Sequence, residues 1–200
     1  MLPRPTVELI NAECKAFDDE NGLAEQALDQ LRAAFRPNTD PHHVLLKVLV
    51  LNELYRTRIR SIDIATVATH IVWLASSHGL DQLLEEGSLE AVSLIANCPD
   101  VKEYLSFASK FCSWHNPTAY PIFDGNVRAC LWAYRKQAPF AEFRNGDLWC
   151  YRRLVEIVVA FRDYYELTSL TFKQLDKFMY RSGDRILRAQ KDRQHQMHNV

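Results

Sequence analysis

Apolar residues recur at helical spacing along almost the whole chain, and this periodicity constrains the fold more than any other feature. In one stretch the apolar positions that share a helix face are Ile64, Val67, Ala68, Ile71 and Leu74. No alternation typical of a strand lasts more than a few residues, and only six glycines interrupt the 200 residues. The sequence therefore predicts an all-α protein of about nine helices joined by short loops.

Caps and breakers predict where several helices begin and end. Asp40 followed by Pro41 is typical of a helix start, and the run VLLKVLVL that follows is apolar nearly all round, so this helix is expected at the centre. The pair Asn21-Gly22 is expected to separate two N-terminal helices, and the stretch 176–184 is expected to interrupt the last helix. Residues 189–200 are expected to fray.

The length and apolar content suit one globular unit over residues 1–200 that is built from two lobes. The first lobe is expected at residues 41–115, and the second at residues 1–40 together with 116–190.

Charge is distributed unevenly along the chain, although the formal net charge is only −1. Residues 1–100 hold 8 Lys and Arg against 15 Asp and Glu, whereas residues 101–200 hold 16 against 10. A basic surface in the second half would suit nucleic-acid phosphates. Solvated helix faces explain the same residues, so both interpretations stay open.

The cysteines are odd in number, scattered and without a CxxC pair, so neither a disulfide framework nor a zinc site is indicated. With no secretion signal or membrane span in the sequence, we expect a cytoplasmic protein that has no membrane partner. Phosphate-binding glycine loops and paired histidine ligands are absent, which predicts no cofactor and no metal. Cys112 is disfavoured as a nucleophile because it continues the apolar stripe of Leu105 and Ala108.

The segment HNPTAYPIFDGNVRACLW, residues 115–132, places one aspartate, Asp124, between a proline-rich bend and a new amphipathic helix. As an N-cap alone, Asp124 would stabilise that helix by about 1 kcal/mol. Most aspartates that precede helices have only this capping role.

This arrangement resembles the helix-hairpin-helix (HhH-GPD) superfamily of DNA glycosylases over roughly residues 41–135. Pro121-Ile122-Phe123-Asp124, followed by Val127 and Arg128, is similar to the family's turn that carries the catalytic aspartate. The helix ending in LNELYRTRI is similar to the family's pocket-lining helix. The resemblance implies a two-lobed helical architecture, double-stranded DNA with a damaged or modified base as partner, and Asp124 as the catalytic carboxylate.

The sequence departs from the family in two ways. The stretch CPDVKEYLSFASKF has no glycine where the family has a glycine-rich hairpin. Where bifunctional members have a lysine, this chain has Ser106, and Lys110 lies one turn further on. We therefore predict a monofunctional glycosylase, with Lys110 as the alternative, lyase-type nucleophile. The enzyme is expected to be a monomer and to contain no iron–sulfur cluster.

The resemblance also implies contacts to the flipped base and to the DNA backbone. The implied base-pocket residues are Asn52, Tyr55, Trp114, His115, Asn116 and Tyr120. The implied DNA-binding residues are Arg56, Ser106, Ser109, Asn126, Arg128, Lys177 and Arg181. Taken singly, each aromatic residue among them is more typical of a hydrophobic core than of a base pocket.

Two alternatives remain: a non-catalytic helical module that binds nucleic acid, and an interaction adaptor in which Asp124 only caps. Within the glycosylase interpretation, the setting is base repair or phage defence, with a modified pyrimidine of phage DNA as one candidate substrate.

Overall fold

The computed structural model describes residues 2–198, with the side chains of residues 197 and 198 left out. Within this range the chain forms nine α-helices and two short 3-10 helices, and no strand. The α-helices are α1 Val7–Ala34, α2 Pro41–Leu54, α3 Ile64–Ser77, α4 Leu80–Glu86, α5 Leu89–Ala96, α6 Leu105–His115, α7 Gly125–Arg135, α8 Tyr151–Tyr164 and α9 Phe172–His198. The 3-10 helices are Ser61–Asp63 and Asn145–Trp149. The predicted all-α fold of about nine helices is confirmed.

The chain divides into two compact units. The continuous unit is Asn21–Ile122, and the discontinuous unit combines Met1–Glu20 with Phe123–Val200. The first boundary lies within α1, near residue 20 rather than the expected 40, because Glu13 and Glu20 pair with Arg181 of α9 whereas Glu25 accepts a hydrogen bond from Tyr55. The second boundary lies between Ile122 and Phe123, one residue before Asp124 and later than the expected 115.

In the continuous unit, α6 is buried on all sides and packs on α2, α4 and α5. Its buried positions include polar Ser109, Lys110 and Ser113. The α2 helix, which was expected at the centre, has Leu46 and Leu49 41% and 43% exposed. The α2 helix therefore has one buried face, against α3 and α6, and one open face.

In the discontinuous unit, α7 packs along α9, and α8 lies against the second 3-10 helix. A cluster of aromatic rings fills this core, with Tyr134 and Phe161 in edge contact at 5.4 Å between ring centroids and Phe140 edge-on to Phe161 at 5.2 Å. Burial of the Tyr134 hydroxyl raises its pKa. Its proton is donated to Pro3 O at 2.9 Å, which satisfies the buried group.

Two predicted helix breaks are wrong. The α1 helix continues through Asn21-Gly22, and α9 continues through Gly183. A single glycine inside a helix costs about 1 kcal/mol relative to alanine, which the rest of a long helix offsets. The expected fraying from residue 189 also differs from the structure, in which α9 is helical through His198. Residues 199 and 200 lie outside the described residues.

The predicted start of α2 is confirmed. Asp40 Oδ1 accepts hydrogen bonds from His42 N and His43 N, each at 2.9 Å, and Pro41 occupies the first helical position. Over the part of the chain that is described, none of the helices combines the length and the apolar character that crossing a bilayer requires.

Candidate functional site around Asp124

Asp124 is the N-cap of α7, as predicted. Its Oδ1 accepts hydrogen bonds from Asn126 N and Val127 N, both at 2.9 Å. The three residues that precede it, Pro121 to Phe123, are buried, whereas Asp124 itself is partly exposed. The carboxylate is therefore held in a fixed orientation and stays within reach of solvent.

Sequence reasoning missed Trp149, which lies in the same corner of the discontinuous unit. Its indole is 56% exposed, contacts the edge of buried Phe123 at 4.9 Å, and has the Arg128 guanidinium over its face at 5.5 Å. Arg128 is one turn after Asp124 on α7, and its amide donates to Asp124 O at 3.0 Å. An exposed aromatic ring and a cation thus accompany the carboxylate. The sequence signal was weak, because DLW reads as the beginning of α8.

The first turn of α7 is fixed from the side of α9. Gly183 is buried, and a Cβ atom added there would overlap the backbone of Asn126. The two helices therefore approach at backbone distance directly after the cap. Asn126, a predicted DNA contact, is partly exposed at this crossing.

Lys177 and Arg181 on α9 are engaged within the discontinuous unit. The Lys177 ammonium pairs with Asp18, and the Arg181 guanidinium pairs with Glu13 at 2.8 Å and with Glu20 at 2.7 Å. These acidic partners hold the pKa of Arg181 above its usual value. The predicted phosphate contacts of both residues are thus not supported, since each would have to leave its carboxylate.

Lys110, the alternative nucleophile, lies in the middle of α6 in the continuous unit and is only 5% exposed. Its ammonium donates to Tyr55 O at 3.1 Å and lies 5.9 Å from the centroid of the Tyr55 ring. The Tyr55 hydroxyl in turn donates to Glu25 at 3.0 Å. Lys110 and Tyr55 are therefore brought together, as a buried cation beside an aromatic ring.

The amide of Asn52 is bonded into the loop after α2. Its Oδ1 accepts from Thr57 Oγ1 at 2.7 Å and from Ile59 N at 2.9 Å, and its Nδ2 donates to Ile59 O at 3.3 Å. These bonds give the Asn52 amide a structural role in the loop, and its predicted contact with a base stays a prediction.

Trp114 and His115 are also part of the fold at the end of α6. The Trp114 indole is buried and donates to Leu28 O at 3.2 Å. His115 Nδ1 lies 2.8 Å from Phe111 O, and Nε2 lies 3.4 Å from Asn38 Nδ2. Desolvation lowers the pKa of His115 to about 4, so the ring is neutral at pH 7. Trp114 and His115 therefore contribute to the packing of this unit, and their predicted roles in a base pocket are not supported.

Asn116 and Tyr120 anchor the bend after α6. Asn116 Nδ2 donates to Leu84 O at 3.2 Å and to Glu85 O at 3.1 Å. The hydroxyl of fully buried Tyr120 lies 2.9 Å from Leu83 O and 3.0 Å from Ser88 O, which share its single proton. Burial raises the pKa of Tyr120. Both residues hold the bend in place rather than facing a ligand.

The remaining residues predicted to contact DNA differ in how far they are buried. Ser109 is fully buried and its hydroxyl donates to Ser106 O at 3.1 Å, so a phosphate contact by Ser109 is not supported. Ser106 is partly exposed, and Arg56 is exposed.

Burial raises the pKa of the Cys112 thiol well above its usual value, which makes it a poor nucleophile. Within residues 2–198, no three His, Cys, Asp or Glu side chains are grouped as metal ligands.

Fold and site together define an all-α protein with a partly exposed, capped aspartate. Residues 8–119, from α1 to the bend after α6, match the family model HI_0787_N, described as an N-terminal domain. A relative from Haemophilus influenzae, described as an uncharacterized protein, is 32% identical over 152 residues, or 74% of this chain and 70% of the relative. The chain therefore belongs to the HI_0787_N family. No solved structure matches it.

Proposed function

We propose that this protein is a DNA glycosylase that extrudes a damaged or modified base from double-stranded DNA and hydrolyses its N-glycosidic bond with the help of Asp124. The observation that carries the proposal is a partly exposed carboxylate, fixed by two backbone amides directly after three buried residues. The resemblance of residues 121–128 to the glycosylase turn supports the same assignment.

In the proposed reaction the bond between C1′ of the sugar and the base nitrogen breaks, and its electron pair leaves with the base. Positive charge develops on the sugar, and the Asp124 carboxylate stabilises it. A water oxygen oriented by Asp124 then adds to C1′ and releases one proton to the solution, while the departing base takes up one proton from the solution. No cofactor takes part in this reaction.

Trp149 and Arg128 extend the proposed site beyond the carboxylate. An exposed indole offers a surface on which an unpaired base can stack, and stacking of this kind contributes about 1–3 kcal/mol per base. The Arg128 guanidinium is suited to an adjacent phosphate because it presents several N–H donors in one plane.

The test compares two aspartates that cap in the same way. Asp124→Asn keeps a good N-cap and removes the charge, and Asp40→Asn does the same at α2. The substrates are duplexes with oxidised, alkylated or otherwise modified bases, including modified pyrimidines of the kind phages use. We expect base release to fall by a factor of about 100 or more in Asp124→Asn, with duplex binding retained and the Asp40→Asn rate unchanged.

Two results would contradict this proposal. One is the absence of base release from every duplex; the other is an Asp124→Asn rate equal to that of the wild type. Duplex binding without release would instead favour a non-catalytic nucleic-acid-binding module. Salt-insensitive or absent binding would favour an adaptor.

Lys110 is tested separately, with Lys110→Gln. If the enzyme is monofunctional, the variant releases base and the strand is cut only after alkali. If Lys110 is the nucleophile, its neutral amine attacks C1′ as the bond to the base breaks, and the nitrogen loses a proton as the sugar ring opens at the C1′–O4′ bond. The resulting Schiff base is trapped by borohydride in the wild type and not in the variant. The proposed enzyme is a cytoplasmic monomer that acts in base repair or against phages with modified DNA.

A further inference from the structure

The loop between α2 and the first 3-10 helix, residues 55–60, has two arginines in the left-handed backbone region. Arg56 has φ 50° and Arg58 has φ 62°. Both side chains are exposed, and within residues 2–198 neither guanidinium has a hydrogen bond or an ion pair. L-residues with a β-carbon avoid this region, which glycine adopts without strain.

Arg56 occupies the position after a helix end at which glycine is the usual residue. Tyr55 is the C-cap of α2, Arg56 N donates to Glu53 O at 3.4 Å, and Thr57 N donates to Asn52 O at 3.2 Å. This pattern of bonds closes a helix through a left-handed residue. The chain thus has a long cation where a glycine would be less strained, and such strain is often retained where a side chain has a function.

The rest of the loop fixes the direction in which the arginines point. Thr57 and Ile59 are buried, and the Asn52 side chain binds both of them. Positions 57 and 59 therefore face inward, and positions 56 and 58 face outward, as neighbours on a short anchored segment. The fold has therefore already met the ordering cost of the backbone that carries the two arginines.

Of the three arginines in this loop, only Arg60 has an anionic partner among the described residues. Arg60 is neutralised by Asp63, with Nε to Oδ2 at 2.7 Å, and its backbone amide donates to the Tyr104 hydroxyl at 3.2 Å. The exposed Lys102 has its ammonium over the Tyr104 ring at 4.9 Å. Lys102 thus adds a cation on the Arg60 side of the loop, while Arg56 and Arg58 remain without anionic partners.

From these observations we propose that residues 55–60 form an anchored phosphate-binding loop, in which Arg56 and Arg58 each contact one phosphate of a nucleic-acid backbone. Guanidinium groups bind phosphate oxygens through two parallel hydrogen bonds, which a lysine cannot reproduce. The choice of DNA as the nucleic acid rests on the proposed function, but the binding itself requires no glycosidic chemistry.

The test uses the double variant Arg56→Gly/Arg58→Gly, which removes both charges and relieves both left-handed residues. Because glycine suits both positions, the melting temperature is expected to stay equal or to rise. Binding to an undamaged fluorescent duplex is followed by anisotropy over a NaCl series, in the Asp124→Asn background so that turnover plays no part. We expect the affinity to fall at least about 10-fold and the slope of log K against log salt to decrease in magnitude by about 2.

Arg36→Ala is the matched control, because Arg36 is exposed, lies in the same unit and is outside the loop. Its affinity is expected within about twofold of the wild type. An unchanged affinity and salt slope in the double variant would overturn the proposal, as would a wild type that binds no DNA. Loss of binding to anionic vesicles or to a polyglutamate peptide, with DNA affinity unchanged, would also overturn it.

The outcomes separate the two proposals. A double variant that has lost the salt-dependent contacts, in a protein that releases no base from any substrate, supports the loop and contradicts the glycosylase. Base release by the wild type, together with normal DNA binding by the double variant, supports the glycosylase and contradicts the loop.

Discussion

Asp40 and Asp124 cap their helices through the same pair of backbone hydrogen bonds and differ in what precedes them. Asp40 follows exposed Thr39, whereas Asp124 follows buried Phe123. Phe123 also supports the indole of Trp149. At the scale of the residue, a common capping interaction becomes a candidate site when packing on one side fixes the carboxylate and an exposed ring lies nearby.

The role of Trp149 can be tested by Trp149→Ala, with Trp73→Ala as control. Both indoles are about half exposed, at 56% and 50%, and they belong to different units. We expect Trp149→Ala to raise KM for a modified duplex about 10-fold through loss of stacking, with a change in unfolding free energy below about 1 kcal/mol. Trp73→Ala should leave KM unchanged. Equal effects of the two variants on KM would contradict the stacking role.

At the scale of the helix, α1 and α9 each contain an interior glycine, and the two glycines have opposite surroundings. No atom lies within 4 Å of a Cβ added at Gly22, whereas one added at Gly183 would overlap the backbone of Asn126. Gly22 is a residue that its helix tolerates. Gly183 is a residue that the packing of α9 on α7 requires.

The same substitution should therefore have opposite effects at the two positions. We expect Gly22→Ala to stabilise the protein by about 0.5–1 kcal/mol, measured by urea unfolding. Gly183→Ala should destabilise it by about 2 kcal/mol or more, because the helices must separate. It should also lower base release, since the first turn of α7 supplies the two amides that hold the Asp124 carboxylate. A stabilising Gly183→Ala would show that the close approach of these helices is not required.

At the scale of the whole molecule, the continuous unit contains a polar cluster that links the loop after α1 with α2, α4 and α6. Lys47 is fully buried and donates to Asn38 Oδ1 at 2.9 Å, and Asn38 N donates to Asp81 at 3.0 Å. Burial lowers the pKa of Lys47 to about 8, partly opposed by Asp81. His115 borders the same cluster through Asn38.

His115 should make the stability of the protein depend on pH. Its pKa is about 4 in the fold against an ordinary value of 6.5, so the unfolded chain binds the proton first as the pH falls. The stability due to neutral His115 is thus fully present above about pH 6.5 and is lost towards pH 4, with a total of about 3 kcal/mol.

Urea unfolding at pH 7 and pH 4 measures this dependence, with His115→Gln as the variant that lacks the titrating group. We expect the stability advantage of the wild type over His115→Gln to shrink by about 3 kcal/mol between the two pH values. His42→Gln, at an exposed position, serves as the control and should follow the wild type. Parallel pH profiles for wild type and His115→Gln would contradict the neutral state of the partly buried His115 ring.

The sequence alone determined most helices and the two aspartate caps, because helical periodicity and capping depend on residues within a turn of each other. It could not predict that α1 and α9 would continue through their glycines, since an interior glycine lowers helix stability without ending the helix. The catalytic role of Asp124 remains a prediction, which the cap geometry allows and the Asp124→Asn experiment decides.

Only the tertiary structure decided which polar residues stay available to a ligand. Lys177 and Arg181 read as basic surface, but their acidic partners lie about 160 positions earlier on α1. Lys47 and Lys110 sit in apolar runs, and only the packing of other helices determines that their ammonium groups are buried. The physical reason is the same throughout: burial and ion pairing depend on residues that are distant in sequence, and no local pattern specifies them.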